Sequence, residues 1–370
     1  AMLYLPRLPR CPMRFNPPVP RSCADGSNRR SEAAFRPPAP PTHSRPPWVA
    51  WLSSLAPLAA FVFFARLVPG GLRGEVLRLD LPWVPSLGIR FALAVDGLAL
   101  LFALIITAVG FLIAVYASRY FHGPRERRRF YPLFYAFMAA MLGLVLADDL
   151  ILLFVFWEVT TLISFLLIGF TPEDAAARRN ARQALLVTGA GGLCLLVAVL
   201  LMGRAAGTYA ISAITRAGID WPATPWYPLL FTCLLAGAFT KSAQFPFHFW
   251  LPNAMSAPTP ISAFLHSATM VKAGLYLLAR LHPAFGGTPE WMATLVLVGG
   301  VTALSGAVLS LGRKDMKKVL AYTTVMALGI VTMFLGGRTT PALTAAVTFL
   351  LVHALYKSAL FLVVGIVDHA

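Results

Sequence analysis

Glu158, Lys241, Lys272, His353 and Lys357 lie inside long apolar runs, where ionisable side chains are uncommon. A charge at the centre of a lone membrane helix costs about 2.5 to 3.5 kcal/mol on insertion scales, so several together require a reason. Glu158 sits about eight residues into LILLFVFWEVTTLISFLLIGF, roughly 12 Å from its start at the helical rise. Lys241 lies roughly 20 Å along a helix from Trp226, again deep in hydrocarbon. Burial and mutual proximity act in opposite senses on the protonation of a carboxylate and an amine. An opposed Glu158 and Lys241 therefore switch protonation when one of them moves. A static buried ion pair holding two helices is the alternative.

His353 and Lys357, four residues apart, share one helix face and read as a proton relay, although a packing hydrogen bond explains the histidine equally well. His266 and Lys272, six apart, fall about 240° around a regular helix and need separate neighbours. His248 stands among Phe245, Phe247, Phe249 and Trp250, as a relay member or an aromatic-packed structural histidine. Lys317 and Lys318 begin a span, where lysines commonly anchor a helix to the interface; Lys317 is also a candidate for lining the pathway.

The elements that must hold these groups are membrane helices. With 58% apolar and 12% charged residues and a mean hydropathy of +0.71, a soluble globular domain is excluded by runs of bilayer-spanning length. Apolar runs at about 48–69, 91–116, 131–147, 150–170, 184–203, 226–250, 260–279, 290–311, 318–337 and 341–368 predict an all-α polytopic bundle of about ten spans. Pro246 and Pro252 each remove a backbone donor and crowd the preceding turn, so the helix breaks near 241–252. Broken backbone at membrane depth is tolerated inside protein or beside a water-filled cavity, and next to a lysine it marks a transport path. The plainer reading is a kinked helix whose lysine reaches the nearest interface. Gly189, Gly191 and Gly192 lie within an apolar run, where they permit close helix contact and do not form a phosphate loop.

The formal charge of +16 reads as loop charge on one membrane face and implies no nucleic-acid partner. With the N-terminal tail in the cytoplasm, alternation puts twenty basic residues inside and seven outside, and Asp148 and Asp149 face out. Residues 1–47 form a basic Pro/Arg-rich tail read as disordered, or as a transit peptide, and residues 48–370 as the membrane domain. The four cysteines make no framework, and no motif assigns a catalytic residue, a metal or a cofactor.

The segments LFVFWEVTTLISFLLIGF, TKSAQFPFHFWLPNAMSAPTPISAFLHSATMVKAGLYLLAR, KDMKKVLAYTT and HALYKSALFLVVGIVDH resemble the antiporter-like subunits of respiratory complex I and of multisubunit Mrp cation/proton antiporters, most of all the large A-type component of the Mrp sodium/proton antiporter. The resemblance implies a bundle of two inverted five-helix repeats, each with a broken helix, the second repeat being incomplete in a C-terminally truncated fragment. It also implies that Glu158 pairs with Lys241 of the broken helix, that Lys272 is the central lysine of the following helix, that His353 and Lys357 form the later relay, and that His248 and Lys317 line the path. The implied surroundings are the cell (inner) membrane, further subunits of a hetero-oligomeric complex, protons and a monovalent cation, sodium. A proton-pumping subunit of an NADH:quinone oxidoreductase and a non-transporting scaffold are the competing readings.

Overall fold

The computed structural model describes residues 48–368, so the readings placed on residues 1–47 lie outside the described residues. Among the described residues nine helical segments are long and apolar enough to cross a membrane, one of them the broken segment Thr259–Phe285, and a shorter apolar helix, Tyr227–Lys241, joins them. The helices are α1 (Trp48–Leu72), α2 (Gly97–Tyr120), α3 (Pro124–Leu146), α4 (Leu150–Ile168), α5 (Ala175–Ala206), α6 (Ile211–Ile214), α7 (Tyr227–Lys241), α8 (Trp250–Asn253), α9 (Thr259–Ala263), α10 (Ala273–Phe285), α11 (Pro289–Leu311), α12 (Met316–Leu335) and α13 (Thr340–Val367).

Capping chemistry explains many of the helix starts. Asp96, Asp149, Asp174, Thr288 and Asp315 accept from first-turn N–H groups of α2, α4, α5, α11 and α12. The run expected at 131–147 is short because α3 begins earlier, at Pro124, and carries Arg125 to Arg129 on its first two turns. The loop expected over 117–130 is correspondingly only residues 121–123.

The apolar runs predicted no strands, yet residues 77–95 form an antiparallel hairpin, β1 (Leu77–Val84) with β2 (Ile89–Val95), so the apolar run starting at 91 is strand before it is helix. The hairpin covers one end of the bundle. There Asp148 N–H donates to the Ala92 carbonyl at 2.9 Å, and Asp148 also takes Arg78 at 3.2 Å and the Ser212 hydroxyl at 2.7 Å.

The core is built around residues 259–285. Every residue in the most apolar window of that span is buried, whereas α1 and α11 turn most of their surface outward. This central element is two half-helices rather than one. After α9 the chain takes a π-turn at Phe264–Ala268, breaks at Thr269 (φ −128°, ψ −96°), and enters α10 through a 3-10 turn at Met270–Lys272. The angular offset expected between His266 and Lys272 on a regular helix therefore does not apply.

Candidate functional site

Lys241, His266 and Lys272 sit at breaks in the helical backbone, whereas Glu158 lies within the regular α4 and His353 and Lys357 within the regular α13. α7 ends at Lys241, because the ring of Pro246 clashes with the carbonyl four residues back, at Ser242. The freed backbone is satisfied by other partners: Gln244 N–H donates to the Phe239 carbonyl at 2.9 Å, and Phe245 N–H donates to Thr302 Oγ1 of α11 at 2.9 Å. The break thus costs few hydrogen bonds and leaves Lys241 at a helix end, fully buried.

Lys241 Nζ donates to the Trp157 carbonyl at 2.9 Å and to Thr161 Oγ1 at 2.7 Å, both on α4, with the Trp157 ring 4.9 Å away. The expected partner, Glu158, stands on the same turn. Its charge and that of Lys241 act on one another, but Oε1 is enclosed without a hydrogen-bond partner and no Glu158 ion pair occurs among the described residues. The carboxylate lies against Gly192 of α5, where a Cβ would fall 1.8 Å from Glu158 Oε1, while a Cβ at Gly191 would fall 1.8 Å from Thr240 Oγ1 of α7. The close contact read from the TGAGGL stretch is therefore contact with the acid at Gly192 and with α7 at Gly191.

A second cluster forms where the broken segment 264–272 meets α12 and α13. Lys357, 1% exposed, donates from Nζ to the Leu320 carbonyl at 3.0 Å and to Thr323 Oγ1, both on α12. Lys272, also 1% exposed, has no hydrogen-bond partner for Nζ, and Lys357 acts on it through space. His353 lies one turn before Lys357, its Nε2 unpartnered, and feels both lysines. Ser267 and Ser358 hydroxyls meet at 2.8 Å and join the π-turn to α13.

Between the clusters stands Trp250. Its indole donates to the Thr240 carbonyl at 2.9 Å, and its ring lies 6.2 Å from the ring of His266, which is buried with neither nitrogen hydrogen-bonded. His248 stacks on Phe245 at 5.8 Å, half-buried at the rim of the break, while Lys317 reaches the Ala257 carbonyl at 3.3 Å beyond it. Lys318 is exposed. The predicted residues thus fall into two groups, Glu158 with Lys241 and Lys272 with His353 and Lys357. His248 and Lys317 are peripheral to both.

Sequence reasoning missed Thr161, Thr323 and Trp250. Thr161 lies three residues after Glu158 on an α-helix, a spacing that puts both on one face, and that signal was available in WEVTT. Arg280, one of the seven basic residues counted to outer loops, lies instead in α10, its guanidinium held by a two-pronged bond to Asp96 at the hairpin end.

Residues 147–370 match the family described as NADH:quinone oxidoreductase/Mrp antiporter, TM, and residues 82–131 match the one described as NADH-ubiquinone oxidoreductase (complex I), chain 5 N-terminus. The chain is 46% identical over 321 residues to a probable K+/H+ antiporter A/B-type subunit of Rhizobium meliloti, covering 87% of this chain and 32% of that one. It is 43% identical over 336 residues to the A-type subunit of the Na+/H+ antiporter of Alkalihalophilus pseudofirmus, covering 86% and 42%. Among solved structures, the Mrp complex from Dietzia sp. superposes with a TM-score of 0.75 at 39% identity, over 87% of this chain and 38% of the other. Respiratory complex I from Thermus thermophilus with bound NADH gives 0.74 at 25% identity, over 87% and 66%. The chain spans less than half the length of the curated relatives it matches. With a family match over 147–370, more than half of its length, the chain belongs to the transmembrane family shared by NADH:quinone oxidoreductases and Mrp antiporters.

Proposed function

We propose that this chain is part of a subunit of a multisubunit cation/proton antiporter that exchanges sodium for protons across the cell membrane, with its arginine-rich end and N-terminal tail in the cytoplasm. The observation that carries this reading is the burial of three lysines, each at most 1% exposed, inside apolar helices beside a glutamate and two histidines. Such a row is costly as architecture, and it suits proton transfer because an ammonium that gains or loses a proton changes the field on the next one. At an effective dielectric near 20, two charges about 4 Å apart interact by about 4 kcal/mol, enough to bias a two-state step. Glu158 and Lys241 form the first unit, His266 with Trp250 the link, and Lys272, His353 and Lys357 the second. The name of the A. pseudofirmus relative supports sodium, and that of the R. meliloti relative supports potassium.

Membrane vesicles carrying the full-length subunit with its companion subunits test the reading. Sodium added without NADH is expected to drive proton movement, and Glu158→Ala or Lys241→Ala is expected to abolish it while the complex still assembles. Potassium in place of sodium assigns the cation. Proton movement only with NADH and quinone would replace antiport by the reductase reading, and loss of assembly in both variants would make the pair a static brace.

A further inference from the structure

Two of the buried lysines are held in the same way by different helices. Lys241 donates to the Trp157 carbonyl and to the hydroxyl of Thr161, four residues on; Lys357 donates to the Leu320 carbonyl and to the hydroxyl of Thr323, three residues on. In each case the acceptors lie on one turn of the neighbouring helix, and an aromatic ring stands near the ammonium, Trp157 at 4.9 Å and Tyr356 at 6.0 Å. We propose that Thr161 and Thr323 are positioning residues, each completing a cradle in which the charged lysine of a neighbouring helix rests between proton-transfer steps.

The hydroxyl protons explain why a threonine serves here. Thr161 Oγ1 donates back to the Trp157 carbonyl at 3.1 Å, and Thr323 Oγ1 donates back to the Val319 and Leu320 carbonyls at 2.8 and 3.2 Å. With the proton committed to the helix's own backbone, the oxygen lone pairs turn toward the lysine, and a neutral hydroxyl becomes a fixed acceptor for a cation. The carbonyl adds a second acceptor that carries no formal charge. The cradle thus holds an ammonium without neutralising it.

This arrangement gives Lys241 a choice. Glu158, on the same α4 turn, is the charged group that acts on it. A carboxylate attracts an ammonium more strongly than a hydroxyl does, so without the cradle the lysine would close onto the acid. Lys357 lies one turn after His353 on α13, and its charge acts on His353 and Lys272, while its cradle holds the ammonium on α12. Lys272 has no cradle among the described residues. The three lysines are therefore unequal: two have a resting position and the one between them has none.

The proposal rests on the reading of the buried lysines as a proton path. Its test uses Thr161→Val and Thr323→Val, which keep the branched shape and remove the acceptor, beside Thr161→Ser and Thr323→Ser, which keep the acceptor and remove a methyl. Cation-driven proton movement in vesicles containing the assembled complex is measured against pH. Loss of one hydrogen bond to a charged group corresponds to about one to two pH units. The alkaline limb of the T323V profile, where Lys357 loses an acceptor, is expected to move to lower pH by about that much, that of T161V, where Lys241 closes onto Glu158, to move to higher pH, and serine is expected to restore each. A T161V profile coincident with wild type, or a T161S profile displaced as far as that of T161V, would overturn the proposal. Should T161V fail to assemble, Thr161→Cys takes its place with the same expectation. If the wild-type complex moves no protons under a cation gradient, the antiport reading fails by itself. The cradle is then judged from a structure of the T161V complex, where Lys241 is expected on Glu158; Nζ still on the Trp157 carbonyl would overturn the cradle.

Discussion

Replacing Asp96 by asparagine separates the role of a charge from that of a cap. Asp96 Oδ1 accepts the Ala99 N–H at 2.9 Å and Arg280 Nη2 at 2.9 Å, while Oδ2 takes the other guanidinium prong. Arg280 Nε in turn donates to the Tyr276 hydroxyl at 3.0 Å, which donates to the Val145 carbonyl at 2.7 Å, so one network ties the start of α2 and the second half of α10 to the end of α3. The side chains are 31% and 15% exposed, a half-buried pair. An attraction of about 4 kcal/mol at an effective dielectric near 20 is reduced by desolvation, which leaves about 2 kcal/mol for the pair. Asparagine keeps the cap, so Asp96→Asn is expected to cost about 2 kcal/mol and Asp96→Ala about 1 kcal/mol more. Burial pushes the Asp96 carboxyl up, but the Arg280 hydrogen bonds and charge together with the Ala99 N–H outweigh it and hold the group below its ordinary value of 3.8. A carboxylate lowered in this way contributes its full stability above that value and loses it as pH falls through the lowered one. The stability difference between wild type and Asp96→Asn, read by equilibrium unfolding of the complex in mixed micelles, is therefore expected to be level from pH 8 to pH 5 and to shrink only below about 4. A double-mutant cycle with Arg280→Met should give a coupling near 2 kcal/mol. Coupling under about 0.5 kcal/mol, or a difference that declines already between pH 7 and 5, would refute the reasoning.

Two further expectations concern placement. Gly192→Ala sets a methyl where Glu158 Oε1 now lies, 1.8 Å from the new Cβ, so the carboxylate must swing off α5; exchange is expected to fall at least tenfold while Gly189→Ala, whose Cβ meets nothing within 4 Å, leaves it near wild type. Equal losses in both would show that the glycines matter only for helix flexibility. Cysteines at Arg127, on α3's first turns, and at Arg78, the exposed hairpin residue that pairs with Asp148 just past the end of α3, are expected to label from opposite faces of the membrane; labelling from one face would overturn the crossing by α2 and α3.

Hydropathy made the spans legible because a bilayer demands length and apolarity of every helix that crosses it, whatever its neighbours. It underestimated α3, since Arg125 to Arg129 depress the hydropathy of turns that are nevertheless helical outside the hydrocarbon. The first break was legible from Pro246. The second was not: no proline lies between Pro260 and Lys272, and the π-turn after α9 and the start of α10 are gripped by different helices, Ser267 by α13 and Gly274 against the α7 backbone, where an added Cβ would fall 2.2 Å from the Ala238 carbonyl. Such a break is a tertiary event and leaves little local trace. The hairpin had a trace, alternation in LRLDLPWV and a Pro85–Gly88 turn, but the apolar FALAV that follows merges with α2 in any helix-length window. Sequence logic expected the three lysines inside apolar helices, where they are buried, and paired Lys241 with Glu158, whose charge acts on it. Neutral acceptors, a carbonyl and a hydroxyl, hold that lysine instead, and carbonyls are invisible in a string of side chains.

The main-chain half of each cradle has a consequence for how such a protein yields to mutation. The oxygens of Trp157 and Leu320 belong to the backbone, and every amino acid placed at those positions would present the same carbonyl. Scanning mutagenesis has a blind spot there: substitution at Trp157 reports on the indole and substitution at Leu320 on packing, while the oxygen that touches the ammonium survives each exchange. These acceptors yield instead to a change of linkage. An ester at the 157–158 or 320–321 bond weakens the carbonyl as an acceptor and leaves every side chain in place, and semisynthesis rather than codon replacement is the way to reach them.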